Sequence, residues 1–146
     1  MTTGTIQKEL THSCQVRVLY GDTDSGGVVY YGNYLRYFEK GRTEFMRDQG
    51  ITYKSLEESG FILPVVENYT RYKASAKYDD LIEIHTKLGE IKKVSCKFNY
   101  QIRRSVDNKL LVKGHTLHAV IDRTGKLSKF PTEIFAKLKN LCKETT

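Results

Sequence analysis

The chain has 146 residues, a formal charge of +7 and 39% apolar residues, with aromatic residues at 11% and no low-complexity tract. That length suits one ordinary domain with a core of its own, at residues 1–146, and the composition excludes a disordered chain. No apolar run approaches the roughly 20 residues of a membrane span, and Met1 to Thr11 carries no basic-then-apolar signal pattern, so a cytoplasmic location is expected.

In chain order, Cys14, Val16, Val18 and Tyr20 alternate with Ser13, Gln15, Arg17 and Leu19, which predicts a half-buried strand ending at the carboxylates Asp22 and Asp24. From Asn33 onward, Tyr34, Phe38, Gly41 and Phe45 fall at helical spacing, with Leu35, Arg42 and Met46 beside them and Gly50 as a stop. This is the longest predicted helix. Gly41 on its apolar stripe costs about 1 kcal/mol against alanine, which suggests close approach of another backbone. A short helix is predicted from Thr52 to Ser59. Strands then follow from Pro64 through Thr70, over Ile82 to Leu88, over Val94 to Ile102 and over Leu111 to Ile121. Turns are expected at Asp107-Asn108-Lys109 and at Arg123-Thr124-Gly125-Lys126, the second leading into a short pairing. Pro131 at a first helical position, with Glu133 after it, opens a final helix, a basic amphipathic segment expected to dock on its own domain. One strand, a long helix and then sequential amphipathic strands predict an α+β fold, an antiparallel sheet curled around a helix.

The junction before the long helix carries the chemistry. Gly21-Asp22-Thr23-Asp24-Ser25-Gly26-Gly27-Val28-Val29-Tyr30-Tyr31-Gly32-Asn33-Tyr34 sets two carboxylates ahead of a glycine pair and a helix start. The unpaired N–H groups and dipole of a helix start stabilise a negative oxygen, and glycines let a ligand approach the main chain. A carboxylate fixed upstream can then act on a carbonyl held there.

These residues, continued by Phe38-Glu39-Lys40-Gly41-Arg42-Thr43-Glu44, resemble the signature of the 4-hydroxybenzoyl-CoA thioesterase family, including its YbgC-like acyl-CoA thioesterases. The resemblance runs through Tyr72 to Asp80, similar to the family's Y-x-x-P-A-x-x-D-D segment, and through Val112 to Pro131. It implies a hotdog fold that dimerises so that two sheets become one, as a homodimer or homotetramer. It further implies that Asp24 is the catalytic carboxylate, as base or nucleophile, and that the Tyr31 N–H polarises the thioester carbonyl. Asp22 is then a loop-orienting residue, and Glu39 a helix-face or interface residue, although another hotdog branch has its catalytic carboxylate on the central helix. Gly26 and Gly27 shape the loop and admit substrate, and the Tyr30 and Tyr31 side chains line the acyl pocket. Lys92, Lys93 and Ser95 stand where a relative carries a basic pair and a serine near the coenzyme phosphates. Tyr31 and Ser75 depart from the histidine and proline of many YbgC-like members, which tilts the expected acyl group toward an aromatic one.

The positive charge calls for an anionic partner, and nucleic acid, a membrane surface and a phosphate-bearing small molecule such as a coenzyme A thioester all meet that description. Nucleic acid is not expected: there is no zinc finger, aromatic RNA-binding platform or G-x-x-G clamp. Cys14, Cys96 and Cys142 are odd in number and widely spaced, which argues against a disulfide framework or a zinc site. His115 and His118 lie three apart on a predicted strand and face opposite ways, so they share no metal, and no cofactor is expected. A G-x-S-x-G elbow and an H-E-x-x-H motif are both absent. The expected activity is hydrolysis of a small acyl- or aryl-CoA thioester. Its rival is a non-catalytic acyl-CoA or acyl-carrier-protein binding module on the same fold.

Overall fold

The computed structural model describes residues 11–143, so all but the last residue of the stretch examined for a signal pattern lies outside the described residues. In chain order the elements are β1 (His12–Arg17), α1 (Tyr34–Asp48), α2 (Tyr53–Glu58), β2 (Val65–Tyr72), β3 (Leu81–Lys92), β4 (Ser95–Arg104), β5 (Leu110–Ala119) and α3 (Thr132–Lys143). The strands form one five-stranded sheet in the order β1-β3-β4-β5-β2, and every pairing is antiparallel. The sheet is open, with β1 and β2 at its edges.

Two-residue alternation sets the faces of this sheet. Ile82, Ile84 and Leu88 of β3, and Cys96, Phe98, Tyr100 and Ile102 of β4, are buried on one side, while Glu83, His85, Lys97 and Gln101 turn to the other. α1 lies against the apolar side. Its Tyr34, Tyr37, Phe38, Gly41, Phe45 and Met46 are buried, and Phe38 stacks on Tyr100 with ring centroids 4.2 Å apart. Burying one such aromatic ring contributes about 2–3 kcal/mol, so the stripe on α1 is the main attachment of helix to sheet. Leu138 and Leu141 turn the apolar side of α3 inward, and α3 packs on β3. This is the hotdog arrangement that the resemblance implied.

Three local expectations need correction. Tyr20 does not continue the inward row of β1: the strand stops at Arg17, Tyr20–Asp22 forms a tight 3-10 turn, and the Tyr20 ring is 79% exposed. β5 stops at Ala119, and Ile121 instead bridges Ile62 and Leu127. Gly41 admits side chains of β3 rather than a backbone: a Cβ there would collide with Thr86 Oγ1 and lie 2.7 Å from Ile84 Cγ2. β3 also runs four residues past Leu88, to Lys92, whereas the other boundaries agree within about two residues, including α2 with Thr52 as its N-cap, whose side chain accepts from Ser55 N–H.

Candidate active site

Asp22 is the anchor of the junction. It is 3% exposed, and its carboxylate accepts from Leu19 N–H (3.0 Å), Arg36 Nη2 (2.7 Å) and Tyr37 O–H (3.0 Å). Burial pushes this carboxyl up, but the three donors outweigh it and hold its pKa below the ordinary aspartate value. Burial, and then the Asp22 carboxylate, push the Tyr37 phenol well up, so it stays a donor. The main chain of Asp22 is equally engaged: its carbonyl accepts from Tyr30 N–H (3.0 Å) and from Asn33 Nδ2 (2.8 Å). Asn33 therefore occupies the N-cap position of α1 without capping it, because its amide is spent on the incoming loop. One residue thus ties the end of the β1 segment to the start of α1.

From this anchor the chain makes a small hairpin. Thr23 bridges Val29, Asp24 N–H donates to Val28 O (2.9 Å), and Gly27 N–H donates to Asp24 O (3.0 Å). Gly27 has φ +81°, a conformation glycine adopts without strain. Asp24 Oδ1 accepts from Gly26 N–H (2.8 Å), and a Cβ on Gly26 would lie 3.2 Å from that oxygen. Val28 N–H is a longer partner of the same oxygen, at 3.4 Å. Oδ1 is thereby fixed to the loop, while Oδ2 has no partner among the described residues and stands in solvent, Asp24 being exposed.

The return arm of the hairpin leads into a 3-10 turn, Tyr31–Asn33, that runs straight into α1. Asn33 N–H donates to the Tyr30 carbonyl (2.9 Å). Because the peptide unit is planar and trans, the Tyr31 N–H points away from that carbonyl, and at the first position of the turn it has no acceptor one turn earlier. The Tyr72 hydroxyl donates to the Tyr31 carbonyl at 3.2 Å. A cavity of about 250 Å3 beside this turn is lined by Val29, Tyr31, Tyr34, Tyr72 and the Lys73–Ser75 segment. A second, of about 360 Å3, starts at Gly32 and Asn33 and follows α1 past Leu35, Arg36 and Glu39.

The residues singled out in the sequence are only partly gathered. Asp24, Gly26, Gly27, Tyr30 and Tyr31 share one hairpin and turn. Tyr31 lines the smaller cavity, whereas the Tyr30 ring lies against Tyr31, with centroids 4.6 Å apart, and over Gly32. Asp24 borders neither cavity of the single chain. Lys92 and Ser95 face each other where β3 turns into β4, with Lys93 between them and Lys92 Nζ 3.6 Å from Glu90. Asp80, just before β3, pairs instead with Val18 beside the anchor. The length of β3, roughly 36 Å of contour, therefore separates Lys92 and Lys93 from Asp24 within one chain.

Asn33, Arg36, Tyr37 and Tyr72 escaped the sequence reading as site residues. For Arg36 and Tyr37 a signal exists: they follow Asn33 by one helical turn, so an aspartate folded against the helix start meets Asn33 with its carbonyl and the other two with its carboxylate. Tyr72, distant in sequence, has no such signal. A depression of about 490 Å3 lies on the outer face of the sheet around His85, Asn99 and His115. It contains no residue of the junction and no carboxylate, so its size does not make it the reactive centre. No cluster of three or more metal-ligating side chains occurs among the described residues, and none of their helices is long and apolar enough to cross a membrane.

Comparison with known proteins agrees with the fold. The family model described as the thioesterase-like superfamily matches residues 18–138. An acyl-CoA thioesterase YbgC from Haemophilus influenzae is 36% identical over 132 residues, covering 88% of this chain and 95% of that one. Among solved structures, the hypothetical protein TT1821 from Thermus thermophilus superposes with a TM-score of 0.85 at 29% identity, covering 90% of this chain and 98% of that one. A DHNA-CoA thioesterase from Staphylococcus aureus superposes with a TM-score of 0.85 at 26% identity over 93% and 95% of the two chains. With most of its length matched by the family model and by these relatives, the chain belongs to the thioesterase-like superfamily.

Proposed function

We propose that the protein hydrolyses the thioester bond of an acyl-CoA, with Asp24 as general base or nucleophile and the Tyr31 N–H as oxyanion donor. The observation that carries this reading is the Asp22 anchor, which holds the Asp24 hairpin and the Tyr31 turn in one rigid unit. Asp24 lies two residues along the hairpin from the rung that pairs Asp22 with Tyr30, roughly 7 Å of strand. A side-chain carboxylate and a bound carbonyl together span that distance.

In the general-base form, Asp24 takes a proton from water while the hydroxide oxygen adds to the carbonyl carbon. The resulting oxyanion accepts from the Tyr31 N–H, the C–S bond breaks, and the sulfur leaves as the coenzyme thiolate, which takes up the proton. In the nucleophilic form, Asp24 itself adds, expels the thiolate and leaves a mixed anhydride that water cleaves. Either form uses the same two groups. The acyl group is a small aliphatic or aromatic one, lodged in the cavities beside Tyr31 and along α1.

The protein works as a homodimer or homotetramer in this reading. β2 is an edge strand whose exposed Val65, Val66, Tyr69 and Tyr72, spread over its two faces, form a row of apolar side chains along the edge that invites a second sheet edge. A second copy paired there by a two-fold axis covers the row and encloses the mouth of the Tyr31 cavity, which Tyr72 lines. Lys92, Lys93 and Ser95 reach a coenzyme phosphate only from a neighbouring copy, since their own chain keeps them apart from the junction. Thiol release from a panel of aryl, short aliphatic and longer acyl-CoAs tests the reading; absence of turnover with every member would leave only a binding module.

A further inference from the structure

The cavity that starts at the head of α1 does not end at Glu39. It reaches Arg42, and a further hollow of about 300 Å3 shares Glu39 and Arg42 and runs on past Tyr53 to Phe61 and Leu63. The rise from Asn33 to Arg42 is about 14 Å at 1.5 Å per residue. A groove thus leads from the proposed reacting centre to a guanidinium.

The hydrogen bonds behind Arg42 fix what it has left to offer. His118 is fully buried, and its Nδ1 lies 3.0 Å from the Leu63 carbonyl, which only accepts, so Nδ1 carries the proton. Burial lowers the His118 pKa to about 4, so the ring is neutral and Nε2 is an acceptor. Thr116 Oγ1, 2.8 Å away, therefore donates to Nε2, and the Tyr100 hydroxyl, 2.6 Å from Thr116, donates to Thr116. Arg42 Nη1 in turn donates to the Tyr100 oxygen at 3.4 Å. Every donor in this chain of hydrogen bonds points inward from Arg42, which spends a single guanidinium N–H on it.

Arg42 makes no ion pair among the described residues, although it is half-buried and Glu39 stands one turn away. The Tyr53 hydroxyl is shut off from solvent and has no partner in bonding geometry. Burial pushes its pKa well up, against the opposing charge of Arg42, so it stays a donor. A half-buried cation with no ion pair among the described residues and a buried O–H without an acceptor border the same groove, whose rim also carries the Glu39 and Glu57 carboxylates. The missing component is an anion with two acceptor atoms.

We propose that Arg42 and Tyr53 form a distal subsite for a carboxylate at the far end of the acyl group, so that the preferred substrate is a monothioester of a dicarboxylic acid. The inference rests on the thioesterase reading and adds to it the chemistry of the acyl tail. The test compares kcat/KM and calorimetric affinity for suberoyl-CoA against octanoyl-CoA, which have the same chain length. The wild-type protein is expected to favour suberoyl-CoA by about tenfold or more, as a charge-assisted hydrogen bond allows. Arg42→Met is expected to abolish that ratio, Arg42→Lys to restore part of it and Tyr53→Phe to reduce it several-fold. Equal constants for the two thioesters in the wild-type protein would overturn the proposal, whether or not the variants fold. So would a ratio unchanged in Arg42→Met, including the case where sedimentation shows that Arg42 instead joins two copies. If neither thioester is cleaved, the catalytic reading falls, and calorimetry alone decides the subsite by the same ratio.

Discussion

The Asp22 carboxylate and the Arg36 guanidinium meet at 2.7 Å, and this contact joins the loop that carries Asp24 to the first turn of α1. Arg36 remains largely exposed, so the pair derives its strength less from charge than from the buried acceptor it helps to satisfy. Replacing the acceptor by Asp22→Asn removes the carboxylate that Leu19 N–H, Arg36 and Tyr37 share. A loss of about 2 kcal/mol in urea denaturation is expected, as for hydrogen bonds to a charged group. The same variant should lower kcat more than it raises KM, because it loosens the relation between Asp24 and Tyr31 while releasing only Arg36 among the residues that line the groove along α1.

Tyr31→Pro deletes one hydrogen atom of functional interest. Proline suits the first position of a helical turn, and the preceding Tyr30, at φ −59° and ψ 131°, already has the extended conformation that a following proline requires. The variant should fold, and kcat should fall by about 10²–10³, the usual loss for an oxyanion donor. Tyr31→Ala keeps the N–H while removing the ring, and separates the two contributions: most of the activity should survive in it.

His118 gives the fold a pH dependence with a definite sign. Its pKa is lowered by burial to about 4, below the ordinary value near 6.5, so the unfolded chain binds a proton in that interval and the native one does not. The stability contributed by neutral His118 is complete above about pH 6.5 and is lost as pH falls toward 4, by roughly 2–3 kcal/mol. Thermal denaturation across this window should show the slope. In His118→Gln the slope should flatten, at the cost of lower stability near neutral pH.

Val66 tests the assembly. It is 57% exposed on the β2 edge, and Val66→Asp places a charge where a second sheet edge is proposed to pair. Sedimentation should report a shift toward the monomer, with activity lost in parallel.

How much of this was readable beforehand depended on the range of the forces involved. β3 and β4 were legible because burial on one face imprints a two-residue alternation, as in Ile82, Ile84 and Leu88 or Cys96, Phe98, Tyr100 and Ile102. α1 was legible from Tyr34, Phe38 and Phe45, although Tyr37 was overlooked: its ring packs like a core residue while its hydroxyl serves Asp22. The inward placement of Tyr20 failed because Asp22 closes a tight turn that breaks the alternation, a contact no local pattern encodes. Of the junction, a glycine loop carrying Asp24 ahead of a helix start was visible in the spacing, but its hairpin pairing of Thr23 with Val29 was not. The roles of Asn33 and Tyr72 depend on partners 11 and 41 residues away in the chain. In the sequence Arg42 reads only as a neighbour of the apolar stripe, since its lack of a counterion among the described residues is a property of three-dimensional packing.

The central claim is that Asp24 carries the chemistry, and Asp24→Asn tests it most directly, since the amide keeps the size and can still occupy the turn. Steady-state release of coenzyme thiol from the best acyl-CoA of the panel should fall by at least about 100-fold in kcat, the scale of a lost catalytic carboxylate, with Tm close to that of the wild-type protein. A variant that retains near wild-type kcat would contradict the account and move the reacting group away from this loop.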